Sequence, residues 1–149
     1  MRLSARNDPS LILGAIEETL RYDFSGSNLR RVALHDTVLG GHQIKAGETV
    51  VAWTGAANFD EADFPQSEHF DIRRSPNHHL TFGYGVYVCQ GHPLARLEGR
   101  IALERIVTHF VEMSFDPEKP VQYLDQTASR FIQSLSILFT PACFPKCKF

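Results

Sequence analysis

The sequence predicts an α+β fold, mainly helical, and three observations lead to it. Two long stretches recur at helical spacing, short β-rich runs lie between them, and a meander rich in Asp, Asn, Pro and Ser leads into the second helix. The chain has 149 residues, 43% hydrophobic and 21% charged, the composition of a single globular domain. Its length allows a core of ordinary size.

Taken in order, Asp8-Pro9 is a helix start, because Asp8 can cap and proline is tolerated in the first turn. Leu11, Ile12, Ala15, Ile16, Thr19 and Leu20 then give an amphipathic helix over about residues 9–22. Strand-like runs follow at 29–34, 37–39 and 49–53, punctuated by Gly40-Gly41 and Ala46-Gly47, and read as a small antiparallel sheet. Residues 56–77 show no sustained period, and a long ordered meander of that kind is often functional. Pro93 opens a second helix whose apolar stripe (Leu94, Leu97, Ile101, Leu103, Ile106, Val107) runs to Phe110. Phe131, Leu135, Ile137 and Phe139 alternate with period two, as in a hairpin or late strand.

Several classes of function are disfavoured. With 15 basic and 17 acidic side chains the net charge is −2, which does not suit nucleic acid or an anionic membrane. No run reaches the roughly 18 apolar residues of a spanning helix, and no signal-peptide core is evident. Three cysteines, Cys89, Cys143 and Cys147, make no disulfide framework, so a cytoplasmic location is expected.

The segment from Phe82 to Gly91 reads FGYGVYVCQG and stands just before the second helix. Its glycines allow a sharp turn and close approach to a flat ligand. Cys89 falls where helix N–H groups and the helix dipole favour an anion, and a thiolate there suits an iron centre. Alternatives stay open on the residues alone. His78, His79, Cys89 and His92 are zinc-type donors in no compact zinc spacing, with Cys143 and Cys147 as further donors. A lone cysteine beside a glycine turn also reads as a buried structural residue. Glu18 and Arg21, at i and i+3, can pair on one helix face, where an exposed pair adds only about 0.2–0.5 kcal/mol.

The segment resembles the haem-binding loop of the cytochrome P-450 superfamily, F-G-x-G-x-[HR]-x-C-x-G, with Phe82, Gly83, Gly85, Cys89 and Gly91 matching. Pro93-Leu94-Ala95-Arg96-Leu97-Glu98 resembles the helix that follows it, and Glu18-x-x-Arg21 resembles the family's E-x-x-R pair, in the right order along the chain. The likeness is to the soluble bacterial type. It implies that residues 1–141 are the C-terminal part of such a domain: E-x-x-R helix, small antiparallel sheet, meander, cysteine loop, long helix and C-terminal hairpin. Residues 142–149 read as an irregular tail.

By this resemblance Cys89 is the axial ligand of the iron of haem b. Phe82, Gly83, Gly91 and Ala95 line the haem, and Arg31, His79 and Tyr87 stand at positions that meet its propionates. Tyr87 replaces the usual histidine or arginine and brings no positive charge. His69 stands where an arginine usually completes a triad with Glu18 and Arg21. Substrate contacts are implied at Phe24, Ser27, Asn28, Gln133 and Ser134, positions that read equally as ordinary loop and hairpin packing.

The implied activity is oxidation of a small organic substrate by O2, with electrons from a ferredoxin-type or flavin partner. Family members are far longer, and the distal oxygen-activating helix is not found in this sequence, so an N-terminal portion is expected to be missing. The alternative is a non-catalytic remnant or interaction fragment that binds haem weakly or not at all.

Overall fold

The computed structural model describes residues 8–26, 28–125 and 131–142. Ser27, Cys143 and Cys147 lie outside the described residues. The first helix, α1, spans Leu11–Tyr22, two residues later than the proline suggested. Asp8 accepts the Ser10 N–H at 3.1 Å, ahead of the first helical turn. The helix ends where Asp23 leaves helical backbone, its N–H still bonded to the Thr19 carbonyl.

Helix α1 works on two sides. Ile12 and Ile16 pack with Val107 of the long helix α3 (His92–His109), with Leu20 and Leu103 beside them. Burying each such aliphatic side chain contributes roughly 1.5–3 kcal/mol. Gly99 faces Ile16 across the helix pair, where a Cβ would make only an ordinary contact. The other side of α1 buries Glu18 and Arg21 completely. On that side Gly14 meets the Ile72 carbonyl so closely that any Cβ would displace the meander backbone.

The small sheet resolves into two separate ladders. β1 (Leu29–Val32) pairs antiparallel with β4 (Thr49–Ala52), in register Leu29↔Ala52 to Val32↔Thr49. β2 (Thr37–Leu39) pairs with β3 (His42–Ile44) through Gly40-Gly41, both at positive φ, as a tight hairpin requires. The second run of the predicted sheet is therefore joined by an unforeseen strand, β3, whose three residues are too few to show alternation. A short helix α2 (Thr54–Ala57) opens the meander.

The C-terminal alternation does not fold back on itself. β7 (Ile132–Ser134) pairs with β6 (Gln122–Tyr123), and β8 (Ile137–Pro141) pairs with β5 (Phe110–Phe115). The predicted hairpin is thus two strands in two ladders. β5 itself begins where the apolar run of α3 turns extended at Phe110. Among the described residues no helix is long and apolar enough to cross a membrane.

Candidate haem-thiolate site

Cys89 closes a loop between the meander and α3. Gly83 and Gly85 take φ of 74° and 73°, backbone that a residue with a Cβ rarely adopts. A single turn at Gly85–Tyr87 follows. The Cys89 N–H then donates to the Phe82 carbonyl at 2.8 Å, and the Cys89 carbonyl accepts the His92 N–H at 3.2 Å. The thiol therefore sits three residues before α3, whose first turn contains Pro93.

Cys89 is exposed, not the buried structural cysteine that the residue considered alone would suggest. Around it Tyr84, Val86 and Tyr87 are 88%, 93% and 76% exposed. The stripe of α3 divides in two. Leu103 and Val107 face α1, while Leu94, Leu97 and Ile101 stay uncovered. The Arg31 guanidinium lies 5.1 Å from the centre of the Tyr87 ring, bringing one cation from β1 to the loop.

These residues fit haem better than a bare metal ion. Iron in a porphyrin needs one protein donor, whereas a structural zinc needs four. Among the described residues no three His, Cys, Asp or Glu side chains converge as a metal cluster. An exposed thiol, bare apolar side chains and one nearby arginine match a flat apolar ring with anionic edges.

His79 is placed differently from the expectation. Its Nδ1 accepts the Thr81 N–H at 3.3 Å, so Nε2 carries the proton and donates to Glu17 at 3.1 Å. With both nitrogens engaged and the side chain 2% exposed, His79 has no donor left for a propionate. It supports the loop from inside.

The E-x-x-R pair is buried and extensively bonded. Arg21 grips Glu18 with Nε and Nη2 at 2.9 and 2.8 Å, and donates to the carbonyls of Asn58, Ser67 and His69. Glu18 also accepts the Asp71 N–H and the Asn77 side-chain amide. The third side chain is Arg74, 3.2 Å from Glu18, not His69. His69 is exposed and takes part through its carbonyl, which accepts from both arginines. Arginine wins this place because its planar fork reaches several acceptors at once.

Sequence reasoning also missed Asn58, which is fully buried. Its carboxamide accepts the Leu80 N–H at 2.7 Å and donates to the Thr81 hydroxyl at 3.1 Å, tying the meander to the approach of the cysteine loop. No local pattern marks such a residue, which stands at the C-cap of α2 with right-handed helical backbone. Of the substrate-contact candidates, Phe24 brings the tip of its ring against Gly55 of α2, where a Cβ would collide with it. Gln133 and Ser134 are exposed on β7, and Asn28 is half-buried beside β1.

The acid response follows from these contacts. Burial pushes His79 below its ordinary 6.5, more than Glu17 raises it. Burial lifts the Glu17 and Glu18 carboxyls, but bonds and charges from Arg96 and His79 on one, and from Arg21, Asp71 and Arg74 on the other, outweigh it. Both end below 4.5. A depressed histidine means the unfolded chain protonates first, so stability falls as pH drops through 6.5. The glutamates contribute fully above 4.5 and lose that contribution as pH falls towards their lowered values. Urea midpoints are therefore expected to decline in two stages below neutral pH; a midpoint constant from neutrality to pH 4.5 would contradict the His79 assignment.

The comparisons agree with the geometry. The family model described as Cytochrome P450 matches residues 3–138. The putative cytochrome P450 YjiB of Bacillus subtilis is 45% identical over 78% of this chain and 30% of its own length. The steroid C26-monooxygenase of Mycobacterium tuberculosis is 38% identical over 92% of this chain and 37% of its own. A crystal structure of P450BioI in complex with hexadec-9Z-enoic acid ligated acyl carrier protein superposes with a TM-score of 0.88 at 38% identity, covering 93% of this chain and 36% of that one. The chain spans about a third of the length of the curated relatives it matches. With its cysteine loop, E-x-x-R pair and meander in this arrangement, the chain belongs to the cytochrome P450 family.

Proposed function

We propose that this chain supplies the thiolate side of a haem monooxygenase, with Cys89 as the axial ligand. The observation that supports it is the exposed Cys89 thiol, fixed by the Cys89–Phe82 backbone bond in front of α3, with uncovered apolar side chains in the same loop and on α3. Cys89 stands just ahead of the N-terminus of α3. Arg31 and Tyr87 would meet the propionates of haem b, the arginine by charge and the phenol by hydrogen bond. Phe82, Gly83, Gly91 and Ala95 would line its face.

When bound, haem supplies an iron that activates O2 for insertion of one oxygen atom into an organic substrate. Electrons would come from a ferredoxin-type or flavin donor in the cytoplasm. The relatives named a steroid C26-monooxygenase and a P450 bound to an acyl-loaded carrier protein favour a small, largely apolar substrate. Phe24, Asn28, Gln133 and Ser134 remain candidate contacts for it, by resemblance alone.

Alkylation tests the ligand assignment directly. Modification of the Cys89 peptide, followed by mass spectrometry, should slow roughly tenfold once iron protoporphyrin exceeds its Kd about tenfold. Unchanged alkylation would remove Cys89 as the ligand. A second reading, a fragment that associates without chemistry, draws on the uncovered Leu94, Leu97 and Ile101 of α3. Unprotected Cys89 together with concentration-dependent association would favour it.

A further inference from the structure

Two adjacent glutamates on α1 serve different parts of the molecule. Glu18 holds the meander through Arg21, Arg74, Asn77 and the Asp71 N–H. Glu17 points elsewhere. Its carboxylate takes Arg96 Nε at 2.6 Å and Nη2 at 2.9 Å, and His79 Nε2 at 3.1 Å. Arg96 belongs to the second turn of α3, and its remaining Nη1 reaches His92 Nδ1 at 2.8 Å.

The same guanidinium lies 4.9 Å from the centre of the Phe82 ring. Phe82 is the residue whose carbonyl holds the Cys89 N–H. His79 holds the Thr81 N–H one residue before Phe82. Glu17 is thus linked to both ends of the cysteine loop, at Thr81-Phe82 through His79 and Arg96 and at His92 through Arg96. A two-point arginine–carboxylate contact fixes direction as well as distance, and that is what a loop presenting one donor atom requires.

We propose that Glu17 and Arg96 are positioning residues that clamp the Cys89 loop onto α3, independently of the Glu18–Arg21 brace. The purpose assigned to the clamp, holding the thiol for iron, rests on the haem-thiolate reading; the clamp itself does not need haem. A solvated ion pair at these positions would leave the loop indifferent to its loss. The nearby Arg100–Glu104 pair on exposed α3 is of that kind.

The test uses amide hydrogen exchange of the full chain without haem, in Glu17→Gln, Arg96→Gln and the double variant. In each single variant the Thr81 and Cys89 amides should exchange about tenfold faster or more, while the Asp71 amide, held by Glu18, keeps its rate. The double variant should be faster than either single by less than the product of their effects, because the Glu17–Arg96 contact is lost in all three while Glu17 alone holds His79 and Arg96 alone reaches His92. With iron protoporphyrin and carbon monoxide added to the reduced chain, the thiolate-type fraction of the Soret band should fall in parallel.

Unchanged exchange at Cys89, or equal acceleration at Asp71, would overturn the clamp. If Glu17→Gln fails to fold, Arg96→Gln is decisive, and loss of the fold in both would show general support rather than positioning. Faster loop exchange without any haem spectrum in the unaltered chain would keep the clamp and remove the haem reading.

Discussion

Replacing Arg21 by methionine is expected to cost about 3–5 kcal/mol, the usual penalty for breaking a buried ion pair. Methionine keeps much of the stem volume but removes every donor. Glu18, fully buried, would keep Arg74, the Asp71 N–H and the Asn77 amide but lose its two-point partner. The carbonyls of Asn58 and Ser67 would lose the arginine that spans them, as would the weaker contact at His69. A domain has only about 5–15 kcal/mol of stability in total, so this one change removes a large share. Urea unfolding followed by far-UV circular dichroism should show it, with the meander losing amide protection first. A loss below about 1 kcal/mol, the level of an exposed pair, would mean the pair is not the centre of the brace.

The contrast between the two glutamates shows why position decides magnitude. Glu18 is fully buried and Glu17 about a third exposed, so water screens the second pair and its loss is expected to cost less stability. Its effect should appear in loop geometry instead. A carboxylate on the surface of α1 and one inside the fold differ by one residue in sequence, because a helix turns about 100° per residue.

Periodic features were the legible ones. α1 and α3 announced themselves through apolar residues at helical spacing, and the pair Glu18–Arg21 through its i, i+3 separation. The cysteine loop was readable because glycines, a thiol and a helix start occur within one short segment. What the sequence hid were partnerships between residues far apart in it. Arg74 reaches Glu18, Arg96 reaches Glu17, and Asn58 reaches Leu80 and Thr81 only after the meander has folded over α1. No local period records such contacts. The same cause explains His79, which looked like an anion ligand and is an internal hydrogen-bonding residue. It also explains the late strands, whose alternation was visible but whose partners, β5 and β6, were not.

Cys89→Ser carries the second large expectation. Serine preserves the loop, since Cys89 contributes to it through backbone bonds with Phe82 and His92, and Cys89 is exposed, so little packing is lost. What disappears is the sulfur donor that the proposed haem-thiolate reading assigns to the iron. A hydroxyl stays protonated at neutral pH and offers iron a neutral oxygen in place of an anionic sulfur. Stability and exchange protection should therefore be almost unchanged, while the electronic signature of the iron changes completely.

The direct measurement is the reduced carbon-monoxide difference spectrum of the chain loaded with iron protoporphyrin, recorded beside the Cys89→Ser variant. A thiolate-type Soret shift in the unaltered chain that vanishes in the variant is the expected result. A spectrum indifferent to Cys89, or no haem uptake by a chain that remains folded, would contradict the assignment of Cys89 as the iron ligand.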